Sequence, residues 1–180
     1  MMPIEIEKKY RLTKPQRKAV IERLAKIGIA LHDEEFEENT LYRGGVLDVR
    51  NCVLRLRRVG GRALLTYKER FPTTSSIKHQ QEDETEVADA EALAAILHAL
   101  GFEPALVYEK RRAAWRVGDA EVVIDELSFG LFMEIEGSEK EIARVEALLA
   151  IDELQAEIET YPSLTLKHGK RNGNVVEAKF

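Results

Sequence analysis

Short segments in which apolar and charged residues alternate recur along this sequence, and they limit it to a sheet-based fold more strongly than any other feature. The first segment is IEIEKKYRL, at residues 4–12, where Glu5, Glu7 and Lys9 occupy every second position. Side chains of a β-strand point to opposite faces in turn, so a period of two predicts a strand with one charged and one mostly apolar face. Two carboxylates and an ammonium on one face of the first strand require a reason beyond solubility.

Seven further segments show strand patterns, and short turns separate several of them. Gly60-Gly61 and Gly118-Asp119 each stand between two such segments, which is typical of β-hairpins. Strands joined by two-residue turns are antiparallel, so we expect an antiparallel order with helices between some strands. The predicted strands after the first are residues 35–43, 52–59, 62–68, 82–87, 104–117, 120–127 and 130–137.

Three amphipathic helices are predicted from their first residues. Thr13 with Gln16, and Ser138 with Glu141, have the spacing of a capping box, and Asp89 is a third N-cap. The apolar stripes that follow these residues predict helices that must pack against an apolar surface. The helices lie within residues 13–28, 89–101 and 138–149.

Three other segments have weaker patterns. Residues 70–80 indicate a mobile loop, residues 152–159 predict one more helical piece, and residues 167–180 predict a flexible C-terminal tail. No linker divides the remainder, so we expect a single domain over residues 1–166.

The charged positions of the predicted strands share a face and separate into acidic and basic groups. The opposite, apolar face is the surface available to the helices. Two architectures satisfy this pattern: an open sheet whose charged face meets water, or a closed eight-stranded barrel with a charged interior. The barrel would hold about one small ligand. Segregated acids and bases favour the barrel, because a divalent cation bound together with a polyanion would gain from both signs of charge.

Composition narrows the classes of function. The net charge of −5 argues against a nucleic-acid partner held by bulk positive charge. A single cysteine, Cys52, excludes an internal disulfide, and the first residues lack the apolar core of a signal peptide, so a cytoplasmic location is expected. No apolar run approaches the ~20 residues of a membrane span, so no membrane partner is expected. The sequence also lacks the glycine-rich phosphate-binding motifs GxxxxGK[ST] and GxGxxG.

The order of motifs over residues 3–166 resembles the CYTH domain family, also called triphosphate tunnel metalloenzymes. An E-x-E-x-K signature alone is weak in so charged a chain, whereas the ordered set is specific. The motifs that carry the resemblance are EIEKKY, LRLR (54–57), LTYK (65–68), ETEV (84–87), EKRR (109–112), VVIDEL (122–127), GLFMEIEG (130–137) and TYPSL (160–164). The resemblance implies an α+β fold, a closed or nearly closed eight-stranded antiparallel tunnel that binds triphosphate compounds with Mg²⁺ or Mn²⁺.

The resemblance also implies roles for individual residues. The implied catalytic residues are Lys9 and Glu7. The implied phosphate ligands are Lys9, Arg55, Arg57, Lys68, Lys110 and Arg112. The implied metal ligands are Glu5, Glu7, Glu84, Glu86, Asp125, Glu134 and Glu136. Glu82 and Glu121 are expected at peripheral or surface positions.

Three functions remain open at this point. The first is a metal-dependent hydrolase of inorganic, thiamine or nucleoside triphosphate. The second is a class IV adenylyl cyclase, which would convert ATP to cyclic AMP and pyrophosphate in the same tunnel. The third is a binding module for polyphosphate or nucleotides without catalysis. The expected partner is a small triphosphate compound, and the chain is expected to be a monomer or a homodimer.

Overall fold

Eight antiparallel strands close into a barrel in the computed structural model, which describes residues 4–50, 52–71 and 76–180. Neighbouring strands follow the order β2-β3-β4-β5-β1-β8-β7-β6, and β6 pairs with β2 to complete the ring. The strands are β1 Ile4–Leu12, β2 Ile29–Arg43, β3 Cys52–Val59, β4 Arg62–Arg70, β5 Ile77–Val87, β6 Glu103–Val117, β7 Ala120–Leu127 and β8 Gly130–Glu136. The prediction of a closed antiparallel barrel is confirmed.

In the part of the chain that the structure describes, four helices accompany the barrel, and their N-termini are set by local sequence. Thr13 and Gln16 form the reciprocal hydrogen bonds of a capping box, and the side chains of Asp89 and Ser138 accept from backbone amides of the helices that follow them. The helices are α1 Lys14–Ile27, α2 Ala90–Ala99, α3 Glu139–Leu149 and α4 Tyr161–His168, with a short 3₁₀ turn over Gly45–Asp48. Among the described residues, no helix combines the length and the apolar character needed to span a membrane.

The apolar core lies between the outer wall of the barrel and the helices. Helices α1 and α3 cover the outward residues of β1, β7 and β8, such as Tyr10, Ile124 and Ile135. Helix α2 covers β3 and β4 around Leu56 and Ala63. The charged side chains, which alternate with the apolar ones along each strand, therefore point into the barrel. This is the arrangement that the alternation in the sequence predicts.

Two strands begin earlier than the alternation indicates. β2 starts at Ile29 rather than near residue 35, because residues 29–34 pair with β6 through register shifts that disrupt the period of two. β5 starts at Ile77 within the segment predicted as a mobile loop, because residues 77–81 pair with β1. Of the rest of that predicted loop, Arg70 is the last residue of β4, and Phe71 and Ser76 lie outside any strand or helix. Residues 72–75 lie outside the described residues.

The segment 152–159, predicted as a helical piece, forms turns and an isolated bridge beside β1. The amide of Arg11 donates to the carbonyl of Gln155 at 3.2 Å, and the amide of Glu157 donates to the carbonyl of Lys9 at 2.8 Å. Backbone groups that would close helical turns are therefore used to extend the barrel wall.

Residues 167–180, predicted as a flexible tail, are also placed differently by the structure. Helix α4 runs to His168, and two further strands follow it, β9 Lys170–Asn172 and β10 Val175–Ala178. β10 pairs in parallel with residues 106–108 of β6 and buries Val176 and Ala178 against the barrel. The apolar contacts of these two small residues, rather than a long apolar pattern, fix the segment.

A charged bore as the candidate active site

The barrel encloses a bore of about 480 Å³ that every one of its eight strands helps to line. Thr160, the N-cap of α4, and the first two residues of that helix, Tyr161 and Pro162, also line it. Among the described residues, the lining contains seven cationic and seven carboxylate side chains. The cations are Lys9, Arg55, Arg57, Lys68, Lys78, Lys110 and Arg112, and the carboxylates are Glu5, Glu7, Glu82, Glu84, Glu121, Glu134 and Glu136.

Most residues that the sequence singles out are therefore brought together in one cavity. Two of them do not line it. Glu86 has the inward parity of β5 but lies exposed near the end of the strand. Asp125 is 0% exposed and lies behind the bore wall, in contact with bore side chains rather than with the bore itself.

Several residues of the bore were not predicted as site residues. Glu82 and Glu121 line the bore, although the sequence places them at the periphery. Lys78 and Gln80 line it as well, because β5 extends back to Ile77 and keeps the same parity as Glu84. The period of two, continued to the true start of the strand, is the signal that would have found them.

The carboxylates Glu5, Glu82, Glu121 and Glu136 form one part of the bore, which we call the acid end. Lys68 Nζ lies 2.8 Å from Glu5 Oε2 and also contacts Glu82. Burial, together with the neighbouring Glu5, raises the pKa of Glu82 to about 7 and that of Glu136 to about 8. The carboxyl groups of the acid end thus outnumber the lysine that pairs with them, and their proximity disfavours ionisation of all of them at once.

Arg112 holds a second group of charges in and behind the wall of the bore. Its guanidinium donates to both oxygens of Asp125, at 2.7 and 2.6 Å, and to Glu134 at 2.8 Å. The hydroxyl of Tyr161 donates to Asp125 at 2.8 Å. Burial raises the pKa of Asp125, but Arg112 and Lys110 outweigh this effect and hold it below its ordinary value. Asp125 is therefore an internal counter-ion with its oxygens occupied.

Lys9, an implied catalytic residue, lies deep beside this group. Its side chain is almost fully buried, with Nζ 3.5 Å from Glu134 and 3.0 Å from the carbonyl oxygen of Glu159. The same Nζ lies 3.9 Å from the centroid of the Tyr161 ring, which is a cation–π contact. Burial lowers the pKa of Lys9 to about 8.

Two arginines of the bore have unused donors. The Nε atoms of Arg55 and Arg57 are buried and have no hydrogen-bond partner in the described structure. The ion pairs of Arg55 are also long, at 3.8 Å to Glu84 and 4.0 Å to Glu82. A buried donor without an acceptor costs free energy, so this wall of the bore is suited to an anion that supplies oxygens.

A divalent cation is the cofactor that the sequence implies, and its fit can be tested on the donor set. Within the described residues, no three His, Cys, Asp or Glu side chains are arranged to hold a metal ion. The chemistry of the acid end nevertheless fits one, because its donors are hard carboxylate oxygens in excess over their lysine. Glu7, Glu84 and Glu134 instead pair with Lys78, Arg57 and Arg112 at 3.2, 2.9 and 2.8 Å.

Comparison with known proteins decides the family. The family model of the CYTH domain matches residues 3–166. This chain belongs to the CYTH domain family. A candidate adenylate cyclase of Methanocaldococcus jannaschii is 31% identical over 150 residues, which cover 81% of this chain and 83% of that protein. The resemblance drawn from the ordered motifs is confirmed.

Solved structures share the CYTH fold. The PH1012 protein of Pyrococcus horikoshii superimposes with a TM-score of 0.77 at 24% identity, over 89% of this chain and 98% of that chain. A candidate adenylyl cyclase from Hippeastrum, described as having a dominant triphosphatase activity, superimposes with a TM-score of 0.68 at 18% identity, over 97% of this chain and 99% of that chain. At these identities the likeness shows the fold.

Proposed function

We propose that this protein hydrolyses a triphosphate compound in the bore, with a divalent metal ion as cofactor. The observation that carries the proposal is the concentration of seven cations in one enclosed cavity of a chain whose net charge is −5. An extended polyanion with charge along its whole length is the ligand that such a row of cations fits. The unused Nε donors of Arg55 and Arg57 support the same conclusion.

The geometry of the bore supports a separate role for each group of its side chains. Arg55, Arg57, Lys68, Lys110 and Arg112, with Lys9, would bind and align the phosphate oxygens, since arginine binds phosphate through paired donors and lysine acts as a point charge. Of these, Arg55 has the longest ion pairs and is the freest to exchange a carboxylate for a phosphate. Catalysis would then consist of alignment and stabilisation of charge in the transition state.

Carboxylates of the acid end would hold the metal ion, with Glu5 and Glu136 as its first candidates. A bound Mg²⁺ or Mn²⁺ would neutralise phosphate charge and acidify a water molecule. The catalytic role implied for Glu7 stays a prediction. The same holds for the further metal ligands implied by the sequence, which are Glu84, Glu86, Asp125 and Glu134. Lys9 contacts Glu134 and lies where the bore meets α4, which supports its proposed contact with the reacting phosphate.

Adenylyl cyclase activity is the second candidate. It is favoured by the name of the M. jannaschii relative, which is 31% identical over most of this chain. In that reaction the ribose hydroxyl would attack the α-phosphate and pyrophosphate would leave, with the same cations around the phosphate chain.

One assay separates these functions. The purified protein is incubated with Mg²⁺ or Mn²⁺ and, in turn, with inorganic triphosphate, thiamine triphosphate and ATP, and the products are resolved by ion-exchange chromatography. Release of orthophosphate that stops on chelation of the metal supports the proposal. Cyclic AMP with pyrophosphate supports the cyclase. Tight binding without turnover contradicts both and identifies a binding module.

A further inference from the structure

The ammonium group of Lys68 lies between two carboxylates of the acid end. Its Nζ is 2.8 Å from Glu5 Oε2 and contacts Glu82 Oε2, and the amide of Gln80 donates to the same oxygen of Glu5. Building on the proposed function, we propose that Lys68 stands in for the divalent cation in the unloaded protein. It leaves these carboxylates when the metal ion and the triphosphate bind together.

The position of Lys68 on β4 allows both states. Lys68 lies opposite Glu82 of β5 in the sheet register, and opposite Val53 of β3 on its other side. Arg55, two residues along β3 from Val53, faces the same bore. A flexible four-carbon stem that starts between an acidic strand and a basic strand can move its ammonium from one to the other.

A metal ion held by Glu5 and Glu136 would compete with the Lys68 ammonium for the Glu5 carboxylate, which Lys68 Nζ contacts at 2.8 Å. Like charges held on one carboxylate repel each other strongly where the effective dielectric constant is well below that of water. A metal ion that binds alone must therefore displace Lys68 into a basic region of the bore without compensation. When a triphosphate binds as well, its oxygens receive the displaced ammonium.

The consequence is positive coupling between the two ligands. Linkage requires that a triphosphate which takes Lys68 away from the acid end raises the affinity for metal, and that the metal raises the affinity for triphosphate by the same factor. The protein would then take up the metal–triphosphate complex and bind the free metal ion weakly.

Removal of the lysine charge tests this inference without any substrate. Isothermal titration calorimetry with MnCl₂, in the absence of triphosphate, compares wild type with Lys68→Met and Lys68→Arg. Loss of the competing ammonium in Lys68→Met should lower the Kd for Mn²⁺ by about tenfold or more, which corresponds to about 1.4 kcal/mol. Lys68→Arg keeps the positive charge, so its Kd for Mn²⁺ should stay within about threefold of the wild-type value.

A matched control separates competition from overall charge. Lys8→Met removes the same charge from the outer face of β1, where Lys8 pairs with Glu146 of α3, and should leave Mn²⁺ binding unchanged. Equal or weaker Mn²⁺ binding by Lys68→Met, or equal tightening by Lys8→Met, would overturn the inference.

A second measurement covers the case in which Lys68→Met does not fold. The ¹H–¹³C signal of the Lys68 ε-methylene in the wild type, assigned by its loss in Lys68→Arg, should shift on addition of Mg²⁺ with triphosphate. A signal that stays in place overturns the inference. Failure of the proposed function is separate: Mn²⁺ can bind Lys68→Met more tightly when no triphosphate is hydrolysed, and hydrolysis can occur when Lys68→Met shows no tightening.

Discussion

At the scale of single residues, the buried carboxylate of Asp125 is held by pairing of both its oxygens. Asp125 is fully buried and accepts hydrogen bonds from Arg112 and Tyr161. Asp125→Asn would remove the fully buried carboxylate that Arg112 binds through two hydrogen bonds, and we expect the free energy of unfolding to fall by about 3–5 kcal/mol. Urea denaturation measures this change. Glu126→Gln, on the same strand but facing outward, should cost less than about 1 kcal/mol, and an equal cost for both would contradict the assignment.

Arg55 is the residue at which loss of phosphate binding should be clearest. Arg55→Met removes a buried guanidinium whose Nε has no protein partner, so its expected effect is on the ligand. We expect kcat/KM for the triphosphate substrate to fall by about 10–100-fold, the equivalent of one charged hydrogen bond. Arg58→Met is the matched control, because Arg58 faces outward on the same strand and pairs with Glu91. An unchanged kcat/KM in Arg55→Met would show that Arg55 does not bind the substrate.

The sequence predicts which face a charged residue occupies better than how deep it lies. Parity alone brings Glu5, Arg55 and Glu134 into one cavity, and the structure places them there. Parity also selects Asp125 and Glu86, of which one is enclosed behind the wall and the other is exposed. The depth of a side chain depends on where the neighbouring strands end and on which side chains pack around it, such as Tyr161 of α4 beside Asp125. Neither is a local property of the sequence.

At the scale of elements, features with local causes are predicted and features with long-range causes are not. The capping residues of α1, α2 and α3 act within one helical turn, and all three are where the sequence places them. The early starts of β2 and β5 depend on pairing with β6 and β1, which are distant in the chain. The segment 152–159 gives up a helical pattern for the same reason, since its backbone bonds to β1.

The C-terminal strand β10 provides a test at this scale. Val176 is 7% exposed and packs with Leu106 and Leu164, so the segment contributes to the core. Val176→Ala should lower the free energy of unfolding by about 1–3 kcal/mol through lost apolar burial. Val49→Ala removes the same atoms at an exposed position and should have almost no effect. Rapid hydrogen exchange of the β10 amides, with no cost for Val176→Ala, would indicate the flexible tail that the sequence pattern suggests.

At the scale of the whole molecule, alternation predicts a charged face but leaves closure undecided. An open sheet with its charges in water has the same pattern as a closed barrel. Closure is made by β2 and β6, whose pairing runs from Ile29 opposite Arg116 to Arg43 opposite Glu103. The ordered acids and bases favour closure from sequence alone, because only an enclosed space gains from segregating them. The sequence pattern does not indicate the register shifts between β2 and β6.

Low pH should weaken the pairing of β2 with β6 by protonating Glu37. Its carboxylate on β2 lies 3.3 Å from Lys110 Nζ on β6, with both side chains almost fully buried. Burial raises the pKa of Glu37, but Lys110, Arg112 and Arg57 outweigh it, so the folded-state pKa is about 2 against an ordinary value of 4.5. A lowered pKa stabilises the fold above pH 4.5, here by about 3 kcal/mol, and this contribution is lost as the pH falls toward 2.

Comparison of wild type with Glu37→Gln tests this contribution, because titrating groups that do not contact Glu37 cancel in the difference. The difference in their free energies of unfolding should be largest at pH 7, begin to shrink near pH 4.5 and lose more than about half its size by pH 3. Urea denaturation at these three pH values measures it. Glu38→Gln, on the neighbouring outward position of β2, should show a small difference that hardly changes with pH, because its pair with Arg58 is exposed. A Glu37→Gln difference that is the same at pH 3 and pH 7 would show that the Glu37–Lys110 pair does not stabilise the closed barrel.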